Sequence, residues 1–287
     1  MPQPRLLPLL LLTLLCTSAR AQEAYFQQGV DYKIDVRLDD EKHELHGLLN
    51  LTYTNNSPDT LRAIPIHCWP RAYSSDQTAF ARQKLRQGET KFHFATASKR
   101  GTMDSLNFTV DGAKATFDFS EIDVATITLP KLLLPGARTS ISTPFRVKIP
   151  ESFSRLGHVG ESYQLTQWYP KPAVYDRAGW HAMPYLDLGE YYADFGTFEV
   201  NITLPENYTV GATGVLATEK ERERLLKKAA ADRMELERRD AAGELSIFFV
   251  EEAFPASSPN LKTLTYQAEN VHDFAWFADK RFKVLHD

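Results

Sequence analysis

Period-two alternation dominates the chain once its first two dozen residues are past. Tyr32, Ile34, Val36 and Leu38 alternate with polar neighbours, a charged turn follows at Asp39-Asp40-Glu41-Lys42, and Leu45, Leu49, Leu51 and Tyr53 alternate again. Alternation on both sides of a charged turn predicts an antiparallel hairpin with one buried face. Asn55-Asn56-Ser57-Pro58-Asp59 is a cluster of turn formers, and a strand restarts over 61–67. Short strands are expected at 106–110, 115–119, 126–129 and 139–149, with turns at Asp111-Gly112 and Pro135-Gly136. Further strands are expected at 198–204, 210–218, 245–250 and 263–267. Strands at this spacing with no helices between them predict a mostly β, sandwich-like domain. Residues 71–104 are polar and read as a surface excursion, weakly helical over 78–86. The one strong helical pattern is 219–242, rich in Lys, Arg, Glu, Leu and Ala. Its narrow stripe of Leu225, Leu226, Ala229 and Leu236 predicts a solvated insertion.

The first twenty-one residues break from this pattern. Arg5, a leucine-rich run over 6–15 and Ala19-Arg20-Ala21 have the order of a cleavable secretory signal, with cleavage before Gln22. The run is about ten residues, too short for a ~30 Å hydrocarbon core. The protein is therefore expected to be exported, periplasmic or extracellular, with no membrane insertion after cleavage. Losing Arg5 and Arg20 takes the formal charge from −4 to −6, which argues against a nucleic-acid partner. Cys68 is then the one remaining cysteine, so stability must come from an ordinary core.

Two motifs approach known chemistry and miss it. His43-Glu44-Leu45-His46 has its histidines three apart, whereas a zinc-binding helix needs them four apart on one face; solvent-side turn histidines are expected instead. Gly160-Glu161-Ser162-Tyr163-Gln164 lacks the second glycine of a nucleophile elbow. The other histidines show no pair at ligand spacing. The most informative stretch is the aromatic-dense, turn-rich 163–198. It reads either as packed core with prolines in loops or as a functional edge where aromatics and amides line a cleft.

Several stretches, taken in order, resemble the N-terminal domain of the M1 family of zinc aminopeptidases, the gluzincins, and in particular its bacterial secreted branch. They are Tyr32-Lys33-Ile34-Asp35-Val36-Arg37-Leu38-Asp39, Leu45-His46-Gly47, Asn55 to Asp59 leading to His67, and Thr166-Gln167-Trp168-Tyr169-Pro170 with Asp176 and Gly179-Trp180-His181. Residues 192–195 and 200–212 complete the set. The resemblance implies a saddle-like antiparallel β-sandwich over 22–270 that packs against a thermolysin-like catalytic domain. It also implies that a Thr-Gln loop reaches the active site and helps form the pocket for the substrate's first residue. Gln167 is then the substrate-facing residue. Tyr169 stands where many relatives carry Glu or Gln, so aromatic wall contact is its expected role. The family's zinc-binding H-E-x-x-H and its G-x-M-E-N-like strand do not occur in this chain. The expectation is a truncated, non-catalytic member holding no cofactor, with 271–287 as the start of a linker or catalytic domain. Its partners would be that domain and the N-terminus of a peptide substrate, and an exposed apolar face is expected where the domain would pack. The competing expectation is a free-standing secreted module that grips peptide or glycan with Trp168, Tyr169, Trp180 and Tyr191.

Overall fold

A computed structural model describes residues 25–189, 191–244 and 253–286. The signal segment and the strand expected at 245–250 lie outside the described residues. The protein is mostly β, 43% strand and 14% helix, in several antiparallel sheets with two α-helices among the described residues. None of its described helices is long and apolar enough to cross a membrane.

The opening hairpin forms as its alternation predicts. β1 (Gly29–Asp39) and β2 (Glu44–Thr54) pair antiparallel, Leu38 opposite Leu45 and Ile34 opposite Leu49. Val30, Tyr32, Ile34, Val36 and Leu38 face inward from β1, and Leu45, Leu49, Leu51 and Tyr53 from β2. Gly47 also takes an inward position. Its register partner on the next strand is Phe145, whose ring would lie 2.2 Å from a Cβ at residue 47. The glycine is thus needed for close approach, not for an unusual backbone angle. Gly47→Ala is expected to cost about 2–3 kcal/mol through overpacking and to be relieved by Phe145→Leu. A thermal melt in which the single variant matches the wild type would refute that packing account.

Further strands are β3 (Leu61–His67), β4 (Val124–Leu133), β5 (Arg138–Lys148), β6 (Leu156–Val159) and β7 (Ser162–Leu165). They are followed by β8 (Gly196–Pro205), β9 (Thr209–Ala212), β10 (Leu261–Val271) and β11 (Trp276–Asp279). The nine-stranded sheet runs Val215–Leu216, β10, β8, β1, β2, β5, Thr109–Val110, Ala113–Lys114, with Thr102–Asp104 also on β5. One four-stranded sheet orders β6, β7, β11, β9. Another orders Lys171–Pro172, β3, β4, Phe117–Glu121. One pairing in the large sheet was not expected: β1 and β8 run parallel, Ile34 opposite Val200. A parallel pair needs a long crossover. Here the crossover is not a single helix but the chain that builds much of the two four-stranded sheets.

The large sheet is two-faced. Outward, Asn201 on β8 donates to Asp35 on β1 at 2.8 Å and accepts from Thr265 on β10 at 2.7 Å, a polar rung across three strands. Inward, Tyr32 stacks on Phe198 with centroids 4.3 Å apart, and Phe145 lies 6.0 Å from Trp168. Aromatic rings bury large apolar areas and favour such tilted or offset contacts.

Two expectations change. Residues 71–104 are not a surface excursion. Within them α1 (Ala79–Arg86) begins at Thr78, whose hydroxyl accepts from the Ala81 amide at 3.1 Å, and Tyr73, Phe80 and Phe92 are fully buried. Their rings sit 4.8 and 5.0 Å apart in sequence order, and Tyr73 donates to the Tyr185 hydroxyl at 2.9 Å. Three aromatic rings outweigh a polar average, because the burial of each supplies kilocalories. The charged helix α2 (Glu219–Ala241) forms as expected, but it is attached through charges instead of its leucines. Leu226 is 53% exposed, whereas Glu221 is buried and accepts from Lys262 of β10 at 2.8 Å. Asp232, also buried, accepts from the Val284 amide at 2.8 Å.

Candidate functional site

The segment after β7 has to cross from one four-stranded sheet to the other within a few residues. Gln167 makes the turn with φ of +55°, a left-handed conformation that costs a non-glycine residue about 1 kcal/mol. From there Gln167, Tyr169 and Lys171 alternate toward one carboxylate, that of Asp273, which follows β10. The Gln167 amide nitrogen donates to Asp273 Oδ2 in a very short contact. The Tyr169 hydroxyl donates to Oδ1 at 2.8 Å, and the Phe274 amide to the same oxygen at 2.9 Å. Lys171 Nζ lies 3.6 Å from Oδ1, beyond hydrogen-bond reach. Trp168 is anchored separately, its indole N–H donating to the Phe274 carbonyl at 2.9 Å.

Around this carboxylate the surroundings are aromatic. Lys171 is 1% exposed, and its ammonium stands 4.7 Å from the Trp69 ring centre and 5.9 Å from that of Tyr191. It makes no hydrogen bond among the described residues. Burial pulls its pKa below the ordinary lysine value, against the pull of Asp273 upward. Lys171 is opposite His67 in the pairing with β3, and the His67 ring stacks on Trp69 at 4.3 Å. Both His67 nitrogens are buried without a hydrogen-bond partner among the described residues, as are Gln167 Oε1 and the Tyr191 hydroxyl. Burial first, and the Lys171 charge second, hold His67 down to about 3.

Gln167 and Tyr169, the two residues singled out in the sequence, are therefore brought together by a shared partner. Gln167 is 3% and Tyr169 1% exposed, the Tyr169 ring walled by Tyr32 at 5.6 Å and Phe198 at 5.9 Å. Asp273, Lys171 and His67 were missed. The alternation of Gln167, Tyr169 and Lys171 carried a signal for the lysine. No local pattern marks Asp273, which meets the segment only through a sequence separation of 106 residues.

The near-miss motifs resolve into structure. Ser162 opens the second strand of a hairpin, with Gly160 in its turn at φ of +55°. His46 is exposed and pairs with Glu44 at 3.2 Å. His43 departs from the solvent-side expectation. It stacks on His158 with centroids 3.8 Å apart, its Nδ1 is 2.8 Å from the Tyr163 hydroxyl, and burial and His158 lower its pKa. One concavity is an open groove of about 620 Å³ on the outer face of the large sheet, lined by Arg37, His46, Leu48 and Arg146 among others. Among the described residues, no group of three or more His, Cys, Asp or Glu side chains is placed to hold a metal ion.

No protein-family model matches the sequence, and no curated protein matches it significantly. Among solved structures the chain is similar to the M1 zinc metallopeptidase from Deinococcus radiodurans, at 13% identity and a TM-score of 0.44. It is similar also to a two-domain M1 zinc metallopeptidase variant bound to L-arginine, at 13% and 0.45. A third is a Deinococcus radiodurans variant bound to a Tyr-Ser-Ala substrate, at 14% and 0.44. Each comparison covers 90% of this chain and 43% of the other, so the chain spans less than half the length of the structures it is similar to.

Proposed function

We propose that the chain is the non-catalytic N-terminal domain of an exported M1-type zinc aminopeptidase, contributing to the pocket for the substrate's first residue. On this reading the domain proposed for residues 22–270 also takes in Asp273 and β11, and the residues after β11 lead toward the catalytic domain, its partner. The peptide N-terminus is the ligand, and Gln167 and Tyr169 are the residues that meet it. The observation that carries the proposal is the Thr166-Gln167-Trp168-Tyr169-Pro170 segment. It holds a polar amide in a costly left-handed turn and spends a buried carboxylate on fixing it, which core packing alone does not call for. On the same reading, zinc would be held by the catalytic domain.

Purified 287-residue chain is expected to hold no stoichiometric zinc and to leave aminoacyl-anilide substrates uncleaved. Stoichiometric zinc together with turnover would overturn the proposal.

A further inference from the structure

Amide orientation is ordinarily ambiguous, because the oxygen and nitrogen of a glutamine look alike. Here the partner decides it. An ionised carboxylate only accepts hydrogen bonds, so the Gln167 group that faces Asp273 Oδ2 has to be the NH₂. The other oxygen, Oδ1, is already engaged by Tyr169 and by the Phe274 amide. Reversing the amide would set two acceptors against each other inside the protein, with an opposite charge, Lys171, the only nearby compensation. Gln167 Oε1 is thereby turned away from Asp273, buried and without a hydrogen-bond partner among the described residues. An unpaired buried acceptor is costly, a cost that an incoming donor relieves.

We infer that Asp273 is a positioning residue that fixes the polarity of the Gln167 amide, so that the group offered to a ligand is a hydrogen-bond acceptor. The ligand group it selects is an N–H donor. This rests on the proposed role of Gln167 for the choice of donor, the free amine of a peptide, but not for the orientation itself. Asp273 touches no ligand in this account; it acts through Gln167.

The test reads the Gln167 side-chain amide by NMR in the nitrogen-15-labelled chain, the signal assigned by its loss in Gln167→Met. A carboxylate-bound amide is expected downfield and exchanging at least about tenfold more slowly than exposed amides. An unshifted, freely exchanging amide in the wild-type chain overturns the inference before any variant is made. In Asp273→Asn the new side chain offers one acceptor and one donor, so Gln167 can meet it either way round. The signature should then split or vanish while far-UV circular dichroism stays unchanged, and an unaltered signature would overturn the inference. L-Leucinamide should shift the wild-type amide, N-acetyl-L-leucinamide should not, and the response should weaken at least about tenfold, or 1.4 kcal/mol, in Asp273→Asn. An equal response in that variant overturns the positioning role. A carboxylate-bound amide that ignores L-leucinamide supports the positioning role and counts against the function proposed for Gln167, so the two failures are distinguishable.

Discussion

Lowering the pH from 7 to 4 is expected to cost the fold roughly 3 kcal/mol through His67 alone. The ring is 1% exposed, lies against Trp69 and has its folded pKa held at about 3, against an ordinary value of 6.5. A histidine depressed in the fold contributes stability that is complete above about 6.5. It is lost as pH falls from there toward 3, because the unfolded chain takes up the proton first. His67→Phe keeps a ring on Trp69 and removes two buried nitrogens that make no hydrogen bond. It should match or exceed the wild type at pH 7, and the advantage should widen as pH falls. Asp123, pushed up to about 6 by burial, and Asp194, pushed up to about 7, act in the opposite sense: each costs the fold stability as pH rises from the ordinary value of 3.8 toward those values. Because both chains share them, and share the depressed His43 and His158, the difference between the two denaturation curves isolates His67. A difference that stays constant between pH 7 and 4 would sink the account.

Replacing Lys171 by Met is expected to stabilise the protein at pH 7 by about 1–2 kcal/mol, even though it removes an ion pair. The ammonium is buried and makes no hydrogen bond, while Asp273 keeps Gln167, Tyr169 and the Phe274 amide as donors. Attraction to the Trp69 ring, worth about 0.5–2 kcal/mol, offsets part of the desolvation but supplies no acceptor. The reverse deletion is not equivalent. Asp273→Leu leaves a buried charge with no counter-ion and should cost about 3–5 kcal/mol. Lys171 is depressed in the fold, so its cost is relieved as pH rises from that depressed value toward the ordinary lysine value of 10.5. The gain from Lys171→Met should shrink accordingly. Losing this charge also lets His67 protonate more readily, so Lys171→Met and His67→Phe should be non-additive. Urea denaturation of the two single variants and the double at pH 4, 7 and 10.5 checks both points. A Lys171→Met chain less stable than the wild type at pH 7 would refute the argument.

Much of the architecture was legible because alternation is a local signal. The burial of Val30 to Leu38 and of Leu45 to Tyr53 follows residue by residue from the pattern, and the composition of 219–242 announced its helix. What stayed hidden depends on partners far along the chain. Phe80 and Phe92 sit among polar neighbours, and Tyr185 and Phe153, brought in from later in the chain, help make them core. The site divides the same way. The Thr-Gln-Trp-Tyr-Pro run drew attention to Gln167 and Tyr169, but the carboxylate that organises them lies in a stretch that reads as connecting chain. His43 looked like a turn residue because its stacking partner, His158, comes 115 positions later.

The parallel contact of β1 with β8 bears on how the chain reaches this structure. Asp35 and its partner Asn201 are 166 residues apart, so the middle of the large sheet cannot close until Pro205 has been made. Until then β1 carries a row of unpaired amides and carbonyls beside Tyr32, Ile34 and Val36, an edge of the kind that seeks other chains. Contacts of such long range are bought late and slowly, with the loop entropy spent before the pairing returns anything. Folding should accordingly be slow and sensitive to protein concentration, with the β1–β2 hairpin waiting, half-satisfied, for a strand that emerges from synthesis long after it.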